Sequence, residues 1–461
     1  MNTLNKIMAG VLVAGAALTT SAQDLRTSYF METSAFRHQI NPAYLTPYVS
    51  FPLLGNINIE TTGKHGGNSF IFEIDPAQNN GRKWGTFLHP EVTTEMFLNK
   101  LGNKEVRLGA NLNYNIASVA FRGFNGVNLI ELNLRSNTDA ELPNELFQLA
   151  KNVGGKDHYD LSDLAFRTHN YAELVFGHTH QLDDHFTFGA KAKVLFGLGY
   201  ADLDVNRLDL TLAEDVWRVT GDAKGAIALM KTKFKTKEDG QIDELEDFKG
   251  GLTGMGLALD MGITYKVHSL ENLTLSASLT DLGFISHSSA QLLSTKPNAT
   301  WEFNGFENAY VASDKENSQE LGDEFKKMGD DLIDMLNLYD TNKTGKAQAL
   351  ATTFNLGAEY KLPTYDKLSF GALFTQRMAG RHSWSNLMLN ARIRPIQAIE
   401  VGVSSNFATT GTSLGAMATF NAPGFQFYMG TDRFFSKLSK QGIPVNSMNS
   451  SFNFGFVFPM K

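Results

Sequence analysis

From about Phe354 to Phe458 the chain repeats short segments in which every second residue is apolar, each followed by a turn signal. Leu368, Phe370, Ala372 and Phe374 alternate with Ser369, Gly371, Leu373 and Thr375. Leu387, Leu389, Ala391 and Ile393 alternate with Met388, Asn390, Arg392 and Arg394. Ile399, Val401 and Val403 alternate with Glu400, Gly402 and Ser404, and the series closes on Phe452, Phe454, Phe456 and Phe458. Successive side chains of a strand point to opposite faces, so each segment has one apolar face and one mostly polar face. A barrel standing in lipid around a polar interior needs that arrangement.

The other end of the chain agrees. Lys6 precedes an apolar run from Ile7 to Leu18, followed by Thr19-Thr20-Ser21-Ala22. This predicts a secretory signal peptide over residues 1–22, cut between Ala22 and Gln23. The run is too short for a transmembrane helix, which needs about 20 residues, and no comparable run occurs later. Any membrane crossing therefore uses strands.

Composition narrows the function. The absence of cysteine excludes disulfides, thiolate metal sites, a cysteine nucleophile and N-terminal lipidation. A net charge of −7 with no basic block argues against nucleic acid as a partner.

Strands are expected at about 48–60, 112–122, 127–137, 165–182, 185–200, 255–267, 272–286, 352–361, 368–376, 384–394, 398–406, 412–420, 425–432 and 450–458, about fourteen within a range of twelve to sixteen. With the C-terminus in the periplasm, the connections near Pro423, Pro395 to Gln397, Pro363 to Asp366, Ser269 to Glu271, Asp183-Asp184 and Gly123 to Gly126 fall on the periplasmic side. All are short. The segments 61–111, 138–164, 201–254 and 287–351 fall outside and are the longest, as in bacterial barrels. In 112–122 the apolar phase slips between Ile116 and Ala117, which predicts a bulge.

The outer loops should carry helices. Pro143 to Val153, Pro90 to Leu101 and an acidic stretch with a Leu321, Phe325, Met328, Leu332, Met335, Tyr339 stripe all have helical periodicity. Their apolar faces need cover, either over the barrel mouth or against a partner.

No catalytic constellation stands out. Gly411-Thr412-Ser413-Leu414-Gly415 matches a hydrolase pattern but leads into an alternating strand, not a helix. Asp239-Gly240-Gln241-Ile242 with Glu246 resembles half a calcium loop, yet Lys235 and Lys237 occupy the first ligand positions, which leaves an exposed turn before a short acidic helix. His178 and His180 share a strand face with Ala172, Leu174 and Phe176, and His185 follows the turn; they suit a membrane interface better than a metal site. Lys191, Lys193, Arg392, Arg394 and Glu400 sit on polar strand faces and should point into the lumen, as wall ion pairs or as ligand contacts. Neither metal nor cofactor is expected.

Asn41-Pro42-Ala43, Asp281-Leu282-Gly283-Phe284-Ile285, Asn355-Leu356-Gly357-Ala358-Glu359-Tyr360, Leu368-Ser369-Phe370-Gly371-Ala372-Leu373 and Phe452-Asn453-Phe454-Gly455 together resemble an outer-membrane barrel family of Bacteroidota known only as a domain of unknown function. That family commonly places a tryptophan after its Asp-Leu-Gly-Phe motif; here the stretch has His287. More distantly, Asn41-Pro42-Ala43 and the strand count look like the long-chain fatty-acid transporter superfamily, which includes aromatic-hydrocarbon channels and a secretion-system barrel. That resemblance implies that residues 23–46 plug the lumen, with Asn41 and Pro42 inside it, and gate a hydrophobic ligand.

The sequence thus leads to an all-β transmembrane antiparallel barrel of about fourteen strands with helical outer loops, in the outer membrane. Its expected role is binding or uptake of a small hydrophobic ligand. The alternative is a non-transporting scaffold whose loops hold a surface or secretion partner.

Overall fold

A computed structural model describes residues 25–51, 55–63, 69–79, 81, 83–102, 105–152, 155–212, 217–228, 233–238, 240–247, 251–296, 300–303, 335–434 and 450–460. The expected signal peptide, most of the acidic 321–339 stripe and Asp239 lie outside these residues.

Fourteen antiparallel strands close into a barrel. In order round the wall they are β1 (Tyr48–Ser50, resuming as Ile57–Gly63), β2 (Val106–Gly123), β3 (Gly126–Leu142), β4 (Ala165–Gln181), β5 (Phe186–Leu212), β6 (Gly254–Lys266), β7 (Leu273–Ser294), β8 (Thr352–Lys361), β9 (Leu368–Met378), β10 (Trp384–Ile396), β11 (Ile399–Ala408), β12 (Gly411–Ala422), β13 (Phe425–Thr431) and β14 (Ser450–Pro459). β14 pairs with both β13 and β1, so the sheet has no open edge. The expected short turns all lie at one end, and Gly411-Thr412-Ser413 opens β12 as a plain strand start.

Alternation sets inside against outside. Leu387, Leu389 and Leu414 are 43%, 49% and 62% exposed, while Asn386, Asn390 and Ser404 on the opposite face are 5% or less. An apolar outer belt around a polar interior is stable only with lipid against the belt. Among the described residues no helix is long and apolar enough to cross a membrane.

The phase slip in β2 is a bulge. Its register against β3 shifts between Asn115 and Ala117. A second shift between Leu259 and Met261 in β6 faces Asp281, which takes φ 59°.

Four expectations need correction. The first strand, expected unbroken over 48–60, stops at Ser50 and resumes at Ile57. The interval contains Pro52, which has no N–H to give a ladder. The expected loop 201–254 contains strand: β5 runs on to Leu212 and pairs with Trp217–Ala228. There Leu203, Val205, Leu208 and Leu210 are buried on one face, while Asp202, opposite the cavity-lining Arg167, lies on the other face with Asp204 and Asp209, so alternation continues across one register shift although the charges read as loop. Likewise, within 287–351, β7 continues to Ser294 beside Tyr339–Ala349, so Tyr339 starts a strand instead of ending a helix. Finally, Ile242–Asp247, expected as a short acidic helix, is a strand whose register against Lys233–Thr236 sets Lys235 opposite Glu244.

Among the described residues two outer helices are present, α1 (Thr94–Leu101) and α2 (Asn144–Lys151). Thr93 caps α1 by accepting from the Met96 N–H, which starts the helix later than Pro90. Phe97 and Leu101 of α1 and Leu146, Phe147 and Leu149 of α2 pack with Phe70, Phe87 and the Leu203, Val205, Leu208 and Leu210 face of the β5 extension in one buried cluster. These helices cover their apolar faces against the chain's own strand extensions, on the face opposite the cavity-lining Asp139 and Arg167.

Candidate functional site

The lumen is occupied by the chain's own N-terminal segment. Residues 25–45 run through it as three short 3-10 turns, Arg26–Phe30, Ala35–Gln39 and Pro42–Tyr44, with nearly every residue buried. The last turn is fixed by sequence: the Asn41 side chain accepts from the Ala43 N–H at 3.0 Å, and Pro42 presets the first φ.

Every stretch of the segment is tied to the wall. At its outer end the Arg26 and Thr27 N–H groups donate to the two carboxylate oxygens of Asp432, each at 2.8 Å. In the middle the Glu32 and Thr33 N–H groups donate to Glu400 at 2.8 and 3.0 Å. Elsewhere along the wall Tyr29 donates to Ser276, Ser278 to the Ile40 carbonyl at 2.7 Å, and Thr179 to the Pro42 carbonyl at 2.6 Å. Asn41 reaches Tyr29 and the carbonyls of Ile263 and Ala277. Buried backbone groups of a segment with no ladder of its own need such partners.

Glycines make room for it. A Cβ at Gly371 would stand 2.6 Å from the Phe30 ring, and one at Gly402 2.8 Å from Met31 Sδ. At Gly189 a Cβ would overlap the backbone of Pro42 and Ala43, which cannot swing aside as a side chain could. Gly189→Ala should therefore unseat the Asn-Pro-Ala turn while leaving the strand ladder paired. With no native cysteine to interfere, a cysteine placed at the buried Ser34 reports this. Maleimide labelling should accelerate about tenfold or more in the glycine variant, as local opening exposes the thiol. An unchanged rate would show that the segment does not need this gap.

Of the polar-face residues expected in the lumen, Arg392 and Glu400 come together. The Arg392 guanidinium, 1% exposed, meets Glu32 at 3.2 Å, Glu359 at 3.1 Å and Glu400 at 3.3 Å. Its Nε donates to Ser369, and Lys361 closes the group onto Glu32. Burial raises the Glu32 pKa, but Lys361 and Arg392 outweigh it and hold the carboxyl below its ordinary value. Lys193 lies on the opposite wall, 2.8 Å from Asp260, 2.6 Å from Asp281 and 3.8 Å from Glu173, with Lys191 buried one inward position nearer the short turns. Arg394 does not join either group; it donates to the Gln397 carbonyl in its own turn.

His38 of the segment sits 2.8 Å from the Tyr48 hydroxyl and 3.5 Å from Glu131. Burial, and then the charge of Lys191, push its pKa well below the ordinary range, so the ring is neutral near pH 7. His178 and His180 stack outside the wall, and among the described residues no three metal-ligating side chains converge. His287, where the resembled family has tryptophan, points inward, within 3.0 Å of His169 and stacked on Tyr200.

Outward of the segment lies a cavity of about 280 Å³. Arg26 and Ile40 of the segment border it, and Arg135, Arg167, Arg377 and Asp281 contribute its charged wall. These side chains were missed in the sequence although they obey the rule that found Lys191: charge at an inward position of an alternating strand.

The family model described as "Family of unknown function (DUF5723)" matches residues 42–432. The chain belongs to that family. No curated protein matches the DUF5723 chain. Among solved structures it is similar to the toluene transporter TbuX of Ralstonia pickettii, at 9% identity and TM-score 0.42, covering 92% of this chain and 93% of that one. It is also similar to the toluene transporter TodX of P. putida, at 8% identity and TM-score 0.38, covering 91% and 92%. A Pseudomonas aeruginosa FadL homologue aligns at 10% identity and TM-score 0.38, covering 91% and 93%. Similarity of this size identifies neither ligand nor mechanism for the DUF5723 barrel.

Proposed function

We propose that this chain is an outer-membrane barrel, exported by residues 1–22 and cut after Ala22. It binds a small ligand on the outer side of its N-terminal segment and admits it when that segment moves. The observation that carries this reading is the segment itself, buried in the lumen yet held by side-chain hydrogen bonds and ion pairs instead of strand pairing. Such contacts can be exchanged for water one at a time, whereas a ladder strand cannot leave without opening the wall. Residues 23–46 are then a plug, with Asn41 and Pro42 as its inner anchor. The hydrophobic ligand expected from the sequence finds one apolar wall in the cavity, formed by Ile40, Leu350, Ala351 and Met378.

The test is mass spectrometry of small molecules that co-purify with the folded barrel in mild detergent, against an unrelated barrel. A stoichiometric ligand, lost when residues 23–46 are deleted, supports plugged uptake. A second reading, a non-transporting scaffold, is favoured by the lumen's paired charges around Arg392 and Lys193. An empty barrel that carries one specific partner protein would select it.

A further inference from the structure

The charged wall of the outer cavity has an arrangement that the uptake reading does not require. Arg135 turns its Nε edge to Glu173 at 3.1 Å, and Arg167 turns its Nε edge to Asp202 at 2.9 Å. Arg26 does the same toward Asp432 at 3.6 Å. None of these three acids borders the cavity, while all three arginines do. Of the two acids that border it, Asp281 is held by Lys193 at 2.6 Å.

Among the described residues Arg377 has no carboxylate within hydrogen-bond distance. Its side chain is 5% exposed, and its guanidinium donates to the neutral Asn137 amide oxygen at 3.4 Å. The nearest carboxylate, Asp139, is 3.9 Å away. A guanidinium has five N–H donors in a planar fork matched to two oxygens of one acid, and burial makes unmet donors costly.

We propose that this cavity binds a small molecule carrying an oxyanion, a carboxylate or a phosphate, seated on the Arg377 fork with Arg135 and Arg167 beside it. The volume, at the small end of ligand pockets, suits a compact acid instead of a long chain. Ile40, Leu350 and Met378 face the charged wall and would hold the ligand's uncharged body. This names the ligand class of the uptake reading and rests on it for biological purpose, but the binding itself can be measured separately.

The experiment is calorimetric titration of the detergent-solubilised chain from Gln23 onward with benzoate, phenyl phosphate and uncharged benzyl alcohol. At least one acid should bind about tenfold or more tightly than the alcohol, the scale of a charge-assisted hydrogen-bond pair. The preferred acid distinguishes carboxylate from phosphate. Arg377→Gln should abolish the preference. Asp139→Asn should strengthen acid binding, a gain that misfolding cannot produce. If neither acid binds, or the alcohol binds as tightly, the proposal is overturned. Influx of the same compounds into vesicles separates the two ideas: acid binding without influx would defeat uptake alone, and influx of benzyl alcohol without acid binding would defeat this site alone.

Discussion

Deleting residues 23–46 is expected to convert a closed barrel into a conducting pore. The fourteen-strand ladder closes through β14 and β1 without help from the segment, so its removal takes away no ladder hydrogen bond. The apolar wall residues Leu373, Met388, Met417 and Val457 lose cover, but the groups that held the segment by hydrogen bonds are Asp432, Glu400, Ser278, Thr179 and the Asn56 and Gln426 amides, each of which water can satisfy in an open lumen. In planar bilayers the deletion variant should show unitary steps with a conductance on the order of tenfold or more above wild type. Heat-modifiable migration on gels checks that the barrel has formed. If a folded deletion variant stays closed, residues other than the segment seal the lumen, and the plug proposal fails.

How much of this was readable from the chain depends on which force shapes each part. The barrel was readable because lipid on one side and water on the other impose a period-two code residue by residue, so that Leu387, Leu389 and Ile393 announce a wall without knowledge of the rest. Even the β2 bulge showed, as the slip between Ile116 and Ala117. Outside the membrane that code weakens. Asp202, Asp204 and Asp209 are charges that suit an exposed loop as well as a strand, so the β5 extension looked like a loop although Leu203, Val205, Leu208 and Leu210 alternate with them across one register shift.

The lumen was legible only in part. Strand phase placed Arg392, Glu400, Lys191 and Lys193 inside, but phase cannot say which side chains meet across the interior. That pairing depends on barrel closure and on a segment without periodicity: Glu32 completes the Arg392 group from residues that carry no strand or helix signal. Asp281 meets Lys193 because a bulge turns it there, and the Asp281 φ of 59° was not visible from composition. Gly189, Gly262, Gly371 and Gly402 offered a signal that could have been used. Glycine is a poor strand former, and a run of them on inward positions marks where another backbone or ring comes close.

Replacing Arg392 with methionine should be the most damaging single substitution in the lumen. One guanidinium there serves Glu32, Glu359 and Glu400, while Lys361 reaches only Glu32. Without it Glu359 and Glu400, which are 6% and 0% exposed, would face each other as unpaired charges. Breaking a buried ion pair in this way costs about 3–5 kcal/mol, since a charge remains without compensation. Arg392→Lys should cost less, about 1–2 kcal/mol, because it keeps the charge but loses the fork that spans all three acids. The cause is separable by a double-mutant cycle read from denaturant midpoints in lipid vesicles: adding Glu359→Gln to the methionine variant should recover part of the loss, because it removes one of the stranded charges. Equal stability of the methionine variant and wild type would mean that the lumen is wet enough to solvate these carboxylates. The segment would then be held by its hydrogen bonds alone, and labelling at position 34 in the methionine variant should stay as slow as in wild type.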